Sequence, residues 1–290
     1  MSIFKESELI INPDGSIYHL KLRPEQVANT VIVVGDQQRV SAVSSYFDRV
    51  EHEVKNREFF THTGVYRNQR ITVMSTGIGT DNIDIVINEL DALVNIDLDK
   101  RTPKEQHTSL NIIRLGTSGA LQQETPVDTF VASRFGLGFD GLLHFYKYNP
   151  SLLENDMAEA FVKHTGWSDK LPWPYIVASS ETLLNKVASD LKQGITATAN
   201  GFYGPQGREL RIPLAFPGLN DSIATFQYEG HRITNFEMET SALYALGNIL
   251  GHQTLTVCNI IANRARKAYS KDYHATMDKM IQFVLDKITS

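Results

Sequence analysis

The sequence predicts an α/β fold, a single domain over residues 1–290 with a central mixed β-sheet flanked by helices. Short β-branched runs recur along the chain, segments of helical period alternate with them, and no linker, repeat or low-complexity run divides the 290 residues. The runs TVIVVGD (30–36), ITVMSTG (71–77), LNIIRLGT (110–117), DTFVASR (128–134) and TLTVCNIIAN (254–263) read as buried strands. DNIDIVINELDALVN (81–95) repeats apolar residues at three- and four-residue spacing and reads as a helix. METSALYALGNILG (238–251) does the same and ends on a glycine suited to a C-cap, and 271–288 has the same period. Two stretches read as irregular. Residues 96–109, polar and basic, suggest a solvated surface insertion, and the Gly- and Pro-rich stretch from 200 to 222 suggests a functional loop.

Composition narrows the function classes. With 42% hydrophobic and 21% charged residues the chain is of ordinary globular make-up. Its net charge of −5 argues against a general nucleic-acid binder, although an acidic protein can still gather arginines around a small anion. The opening MSIFKESELIINPDGS is too polar for a signal peptide, and no apolar run approaches the ~20 residues that span a bilayer. The single cysteine, Cys258, excludes an internal disulfide and reads as a buried structural thiol in a cytoplasmic protein. The nine histidines show no HxxxH or His/Cys spacing, so the expectation is no metal and no cofactor.

Polar residues cluster where the strand runs stop. The first run ends in Gly35 and Asp36, with Arg39 three residues on; a glycine there lets backbone N–H groups approach an anion, and an arginine neutralises it. The plain alternative is a tight turn with a surface arginine. Gly77 and Gly79 form a second such turn. In the third, Arg114 sits inside an apolar strand with Thr117 at its end, and a buried guanidinium needs an acidic partner or a bound anion. In FEMETSA, Glu237 and Glu239 flank Met238 before a helix. The helix dipole alone favours both carboxylates, and a carboxylate there also suits a vicinal diol such as that of a ribose, with Met238 as an apolar floor.

Taken in order, the GD turn with Arg39, NREFFTHTG with Arg57, STGIG, IRLGTSGA, FYGPQGR and FEMETSA resemble the nucleoside phosphorylase family, from His19 to about Arg264. FYGPQGR, an aromatic followed by Gln206 and Arg208, is similar to the base-binding loop of the bacterial uridine phosphorylases. The late strand ends in Ile261, Ala262, Asn263 and Arg264, without the acid that purine enzymes of this fold carry. The resemblance implies phosphorolysis of a pyrimidine nucleoside, uridine favoured, with inorganic phosphate as co-substrate. It assigns Gly35, Arg39, Arg114 and Thr117 to phosphate, with Arg57 reaching in from a neighbouring subunit. Met238 and Glu239 would hold the ribose, helped by Glu237, and His19 of the neighbour would touch its 5′-hydroxyl. Phe202, Gln206, Arg208 and Arg264 would hold the base, so the catalytic set is Arg114, Glu239, Gln206 and Arg208. A homodimer is the implied minimal unit, with a hexamer as a larger form, and the partners are nucleoside and phosphate rather than nucleic acid or membrane.

The chain departs from the pattern in TDNID after the glycine turn, in the stretch 96–109, and in 209–235, which reads as a flap, so that 200–235 is base-binding loop plus flap. A nucleosidase, a purine phosphorylase and a catalytically silent nucleoside sensor of the same fold stay open as alternatives.

Overall fold

In the computed structural model, which describes residues 3–290, the chain runs through β1 (Thr30–Val34), α1 (Gln37–Ser44), β2 (Arg49–Asn56), β3 (Phe59–Tyr66), β4 (Gln69–Ser75) and α2 (Thr80–Asn95). A short hairpin of β5 (Ile96–Asp97) and β6 (Thr102–Pro103) leads to β7 (Asn111–Ala120) and β8 (Phe130–Gly138). Then come α3 (Asn155–Thr165), β9 (Tyr175–Ala178), α4 (Glu181–Ala188) and β10 (Lys192–Thr198). After a loop follow α5 (Leu219–Thr225), β11 (Gln227–Tyr228), β12 (His231–Glu237), α6 (Thr240–Ile249), β13 (Gln253–Asn263), β14 (Ala268–Tyr269) and α7 (Tyr273–Thr289).

Strands that are apolar on both faces must be covered on both faces, and two helical layers do this. Ile83, Ile87 and Leu90 of α2 join Leu243 and Leu246 of α6 in one core layer. Val40 and Val43 of α1, Leu184 and Val187 of α4, and Met280 and Val284 of α7 form the other.

The sheet has an open wing and a closed ring. In the wing β4, β1, β7 and β13 are parallel neighbours, with β3 and β2 added antiparallel beyond β4. Beyond β13 come β8, antiparallel to it, then β10 and β12, each parallel to the strand before. The last of these returns to the end of β7, pairing Asn235 with Ala120 and Phe236 with Gly119 antiparallel. Strands β7, β13, β8, β10 and β12 therefore close on themselves. The carboxyl ends of the parallel strands β1, β4 and β7 lie at one edge, the usual place for a ligand in such a sheet.

Two stretches expected to be irregular are structured in part. Within 96–109, Ile96 and Leu98 pack on the core, His107 Nε2 lies 2.9 Å from the Leu250 carbonyl, and Ser109 Oγ donates to Gly251 O at 2.7 Å, bracing the end of α6. The other, 200–222, gives way at its end to α5, and β11 and β12 follow where the flap to 235 was expected, because Ile223, Phe226 and Ile233 are buried against α3 and β8. A helix of seven residues is too short for its period to show in the sequence.

Candidate active site

Arg114 stands in the middle of β7 and is only 5% exposed. It fits because residue 116, the next on the same face, is glycine: a Cβ there would lie 1.9 Å from a guanidinium nitrogen of Arg114. The guanidinium donates to the Glu239 carboxylate, lies 3.3 Å from that of Glu237, and approaches Cys258 Sγ at 3.6 Å. Burial alone would weaken its hold on the proton, but Glu239 and then Glu237 reverse this and keep it firmly charged. The Glu239 carboxyl is pushed up from the usual carboxylate range by burial, which Arg114 opposes and the charge of Glu237 reinforces.

The two glutamates separate in role. Glu237 accepts from Thr198 Oγ1 at 2.7 Å and from the backbone N–H groups of Glu239 at 3.1 Å and Thr240 at 3.0 Å, so it satisfies the start of α6. Glu239 accepts from the Gly79 N–H at 2.8 Å as well as from Arg114, and so ties the α6 start to the STGIG turn.

Arg39, in the first turn of α1, donates to the Leu115 carbonyl at 3.1 Å. Among the described residues it has no carboxylate partner within ion-pair distance, and its proton affinity is lowered by burial and then by the nearby charge of Arg114. A half-buried, unpaired guanidinium beside a second one is a place for an anion. Gly35 and Thr117 border the same cavity of about 300 Å³. A Cβ at Gly35 would meet Gly77 O at 3.5 Å, an ordinary contact, so packing does not demand this glycine; its effect is to leave the cavity face bare.

Gln206, which is buried, lines the same cavity, and Arg208 and Phe202 join it there. Two guanidiniums converge on its side-chain carbonyl: Arg208 donates to Oε1 at 2.6 Å, and Arg264 lies at 3.3 Å while also donating to the Gln206 backbone carbonyl. Cationic donors require the oxygen on their side, which turns the amide N–H₂ the other way. Arg208 also stacks over Phe202, 3.7 Å from the ring centroid. Burial and then the charge of Arg208 push the Arg264 guanidinium down to about 10. Met238, Glu237 and Glu239 line the same cavity.

Ten of the expected residues thus border one cavity, and Arg264 stands just behind it. His19 and Arg57 do not border it. They lie together elsewhere: Arg57, exposed at the β2–β3 turn with φ 54°, reaches Tyr18 Oη at 3.5 Å, and Asn56 Nδ2 donates to the His19 carbonyl at 2.7 Å. Glu89 accepts from the backbone N–H groups of His19 and Leu20 and lies 2.6 Å from His19 Nδ1. With Nδ1 engaged by Glu89, Nε2 is the ring nitrogen left to meet another group.

Sequence reasoning singled out the Gly77 and Gly79 turn but missed Thr198, Ile78 and Tyr269 as parts of the site. Only Ile78 left a signal, an apolar residue between two glycines that is 66% exposed. Asn263 turns away from the cavity: its amide donates to Gln122 O at 2.9 Å and Thr125 O at 2.6 Å, and the residues facing the cavity from β13 are Ile261 and Ala262, neither of them an acid. The histidines cluster in space though not in sequence. Ligand atoms of Asp91, His107 and His252 lie within 4.8 Å of one another at the opposite end of β7 and β13. Here His252 Nδ1 accepts the Leu110 N–H at 3.1 Å, so its proton sits on Nε2, facing Asp91 at 3.3 Å. No helix among the described residues is long and apolar enough to cross a membrane.

Comparison with known proteins converges on one family. The family model of the phosphorylase superfamily matches residues 29–287. The chain is 30% identical to a uridine phosphorylase of Thermococcus kodakarensis, over 92% of this chain and 85% of the relative. It is also 25% identical to a DeoD-type purine nucleoside phosphorylase of Clostridium perfringens, over 92% and 97%. Among solved structures it resembles a Trypanosoma brucei nucleoside phosphorylase described as showing uridine phosphorylase activity, with TM-score 0.86 and 27% identity over 96% of this chain and 98% of that one.

Proposed function

The chain belongs to the phosphorylase superfamily and is a pentosyltransferase acting on nucleosides with phosphate, and from that premise we propose that its nucleoside is a pyrimidine one, uridine favoured. The observation that carries this reading is the Gln206 amide clamped between Arg208 and Arg264 on the cavity that Arg39 and Arg114 also line. The amide N–H₂ and the Arg208 guanidinium are donors suited to the two carbonyls of uracil, and the carboxylates lining the cavity are engaged elsewhere, Asp36 at the start of α1, Glu237 at the start of α6 and Glu239 by Arg114. Both the uridine and the purine relatives share the fold, so the reading rests on this base end rather than on overall likeness.

In the proposed reaction a phosphate oxygen held by Arg39, Arg114 and Thr117 attacks C1′ of the ribose. The C1′–N1 bond breaks with its electron pair passing to the base, giving ribose 1-phosphate and, after proton uptake from water, free uracil. Glu239 accepts from the ribose hydroxyls over Met238 and stabilises the positive charge that develops on the sugar. Gln206 and Arg208 stabilise the negative charge arriving on the base carbonyls, with Arg264 and Phe202 holding them in place. Gly35 leaves room for the phosphate, and Glu237 keeps the start of α6 in position. Arg57 and His19, outside this cavity, act on that of a neighbouring subunit, with a homodimer as the working unit.

Base release is measured for uridine, thymidine, inosine and adenosine with and without phosphate. The expected result is phosphate-dependent release of uracil, far faster than any purine. Equal rates without phosphate would make the chain a nucleosidase, and equal or faster inosine cleavage would reject the pyrimidine assignment.

A further inference from the structure

On the other side of the 202–208 loop lies a larger cavity, about 700 Å³, that the proposed reaction does not use. Its back wall is rigid and aromatic: Phe139 and Trp167 rings pack 4.8 Å apart, and Trp167 Nε1 donates to the Pro172 carbonyl at 2.9 Å. Its front wall is the segment 210–216, where Leu210 and Ile212 are 74% and 82% exposed. Such apolar surface held open in a concavity of this size is what small-molecule sites offer.

The charges on the wall select the ligand. Arg208 and Arg211 are the only ionisable side chains of Asp, Glu, Lys, Arg or His type lining it, and among the described residues neither makes an ion pair. We propose that this cavity is a second ligand site, for a small apolar or aromatic molecule carrying one anionic head, with the body against Trp167 and the head toward Arg208 and Arg211. The site is physically joined to the first. Arg208 borders both cavities, and Asn220, on the wall of the larger one, donates to the Gln206 carbonyl at 3.0 Å.

The test reads binding, not turnover, so its outcome is independent of which nucleoside is cleaved. The chain has two tryptophans, and Trp173→Phe leaves Trp167 as the only donor for energy transfer. Two probes share an apolar body and differ in charge: 8-anilinonaphthalene-1-sulfonate and neutral N-phenyl-1-naphthylamine. Saturable transfer from Trp167 to both probes is expected. Arg211→Ala, at an exposed position, should weaken the sulfonate about three- to tenfold and leave the neutral probe unchanged, as loss of one charge-assisted contact does. Arg211→Gln, which keeps a polar side chain of similar reach, should do the same and guards against a misfolded variant. Absence of transfer from Trp167, or parallel effects of both substitutions on the two probes, would overturn the proposal.

Discussion

Gly116 shows how one absent side chain sets the chemistry of a site. The Arg114 guanidinium lies back across it, within 1.9 Å of where a Cβ would be, and from there reaches both glutamates. Gly116→Ala would meet the far end of a flexible side chain rather than backbone, so the chain should fold while the guanidinium is displaced. We expect the KM for phosphate to rise roughly ten- to hundredfold, the value of one charge-assisted contact, and the urea midpoint to fall, because the displaced guanidinium leaves the buried Glu237 and Glu239 without their partner. A lowered kcat with unaltered phosphate KM would show that Arg114 serves the sugar instead. Cys258, facing the same guanidinium, is pushed up to about 12, by burial first and against the pull of Arg114. Its thiol should resist dithionitrobenzoate at pH 8 until the protein is unfolded. The sign of the linkage follows. Below the ordinary value of 9.0 both states keep the proton, and between that and about 12 only the unfolded chain releases it, so stability should fall as pH rises through this window. Arg114 was legible in the sequence because a charge in an apolar run demands an explanation. Thr198 was not, since a hydroxyl in a strand is unremarkable until it is seen donating to a buried carboxylate.

At the scale of elements, the long strands and helices announced themselves, because β1, β4, β7, β13, α2 and α7 are long and apolar enough for their pattern to exceed that of their surroundings. Some elements that went unseen are short or polar, whereas β3 is buried along most of its length but carries Thr61, His62 and Thr63, which break the apolar pattern. The hairpin strand β2 reads RVEHEVKN and carries no buried residue, so its pairing with β3 is what makes it a strand. The same holds for α5, whose seven residues gain their place from Ile223 against α3. Helix starts test this reading without touching the site. Ser180 caps α4 by accepting from the Leu183 N–H at 3.2 Å, and its hydroxyl donates to Gln253 Oε1 at 2.5 Å, at the end of β13 remote from the cavity. Ser180→Ala should cost about 1–2 kcal/mol in urea unfolding and leave kcat and both KM values within about twofold. A large loss of activity would mean that α4 communicates with the site.

For the whole molecule, the separation of His19 and Arg57 from the cavity leads to a complementation test. If these residues serve a neighbour, Arg57→Ala and Glu239→Ala are each inactive alone, yet a mixed dimer holds one site with both lesions and one with none. Refolding the two variants together at equal ratio should then restore about a quarter of the sites under random pairing. Gln206→Ala mixed with Glu239→Ala, both lesions in the home half, is the control and should recover nothing. No recovery above that control in demonstrably mixed dimers would return Arg57 to the role of a surface arginine.

The closed circuit of β7, β13, β8, β10 and β12 has a consequence for motion. Arg114 and Glu237 hang on strands bonded on both sides, whereas Gln206 and Arg208 hang on a loop between β10 and α5 whose front reaches into solvent. Amide deuterium uptake should therefore split the site in two. Backbone protons of residues 112–118 should exchange only on global unfolding, and those of 207–218 should exchange orders of magnitude faster through local opening. The anion would then meet a frame already set before it arrives, while the base meets one that finishes forming around it.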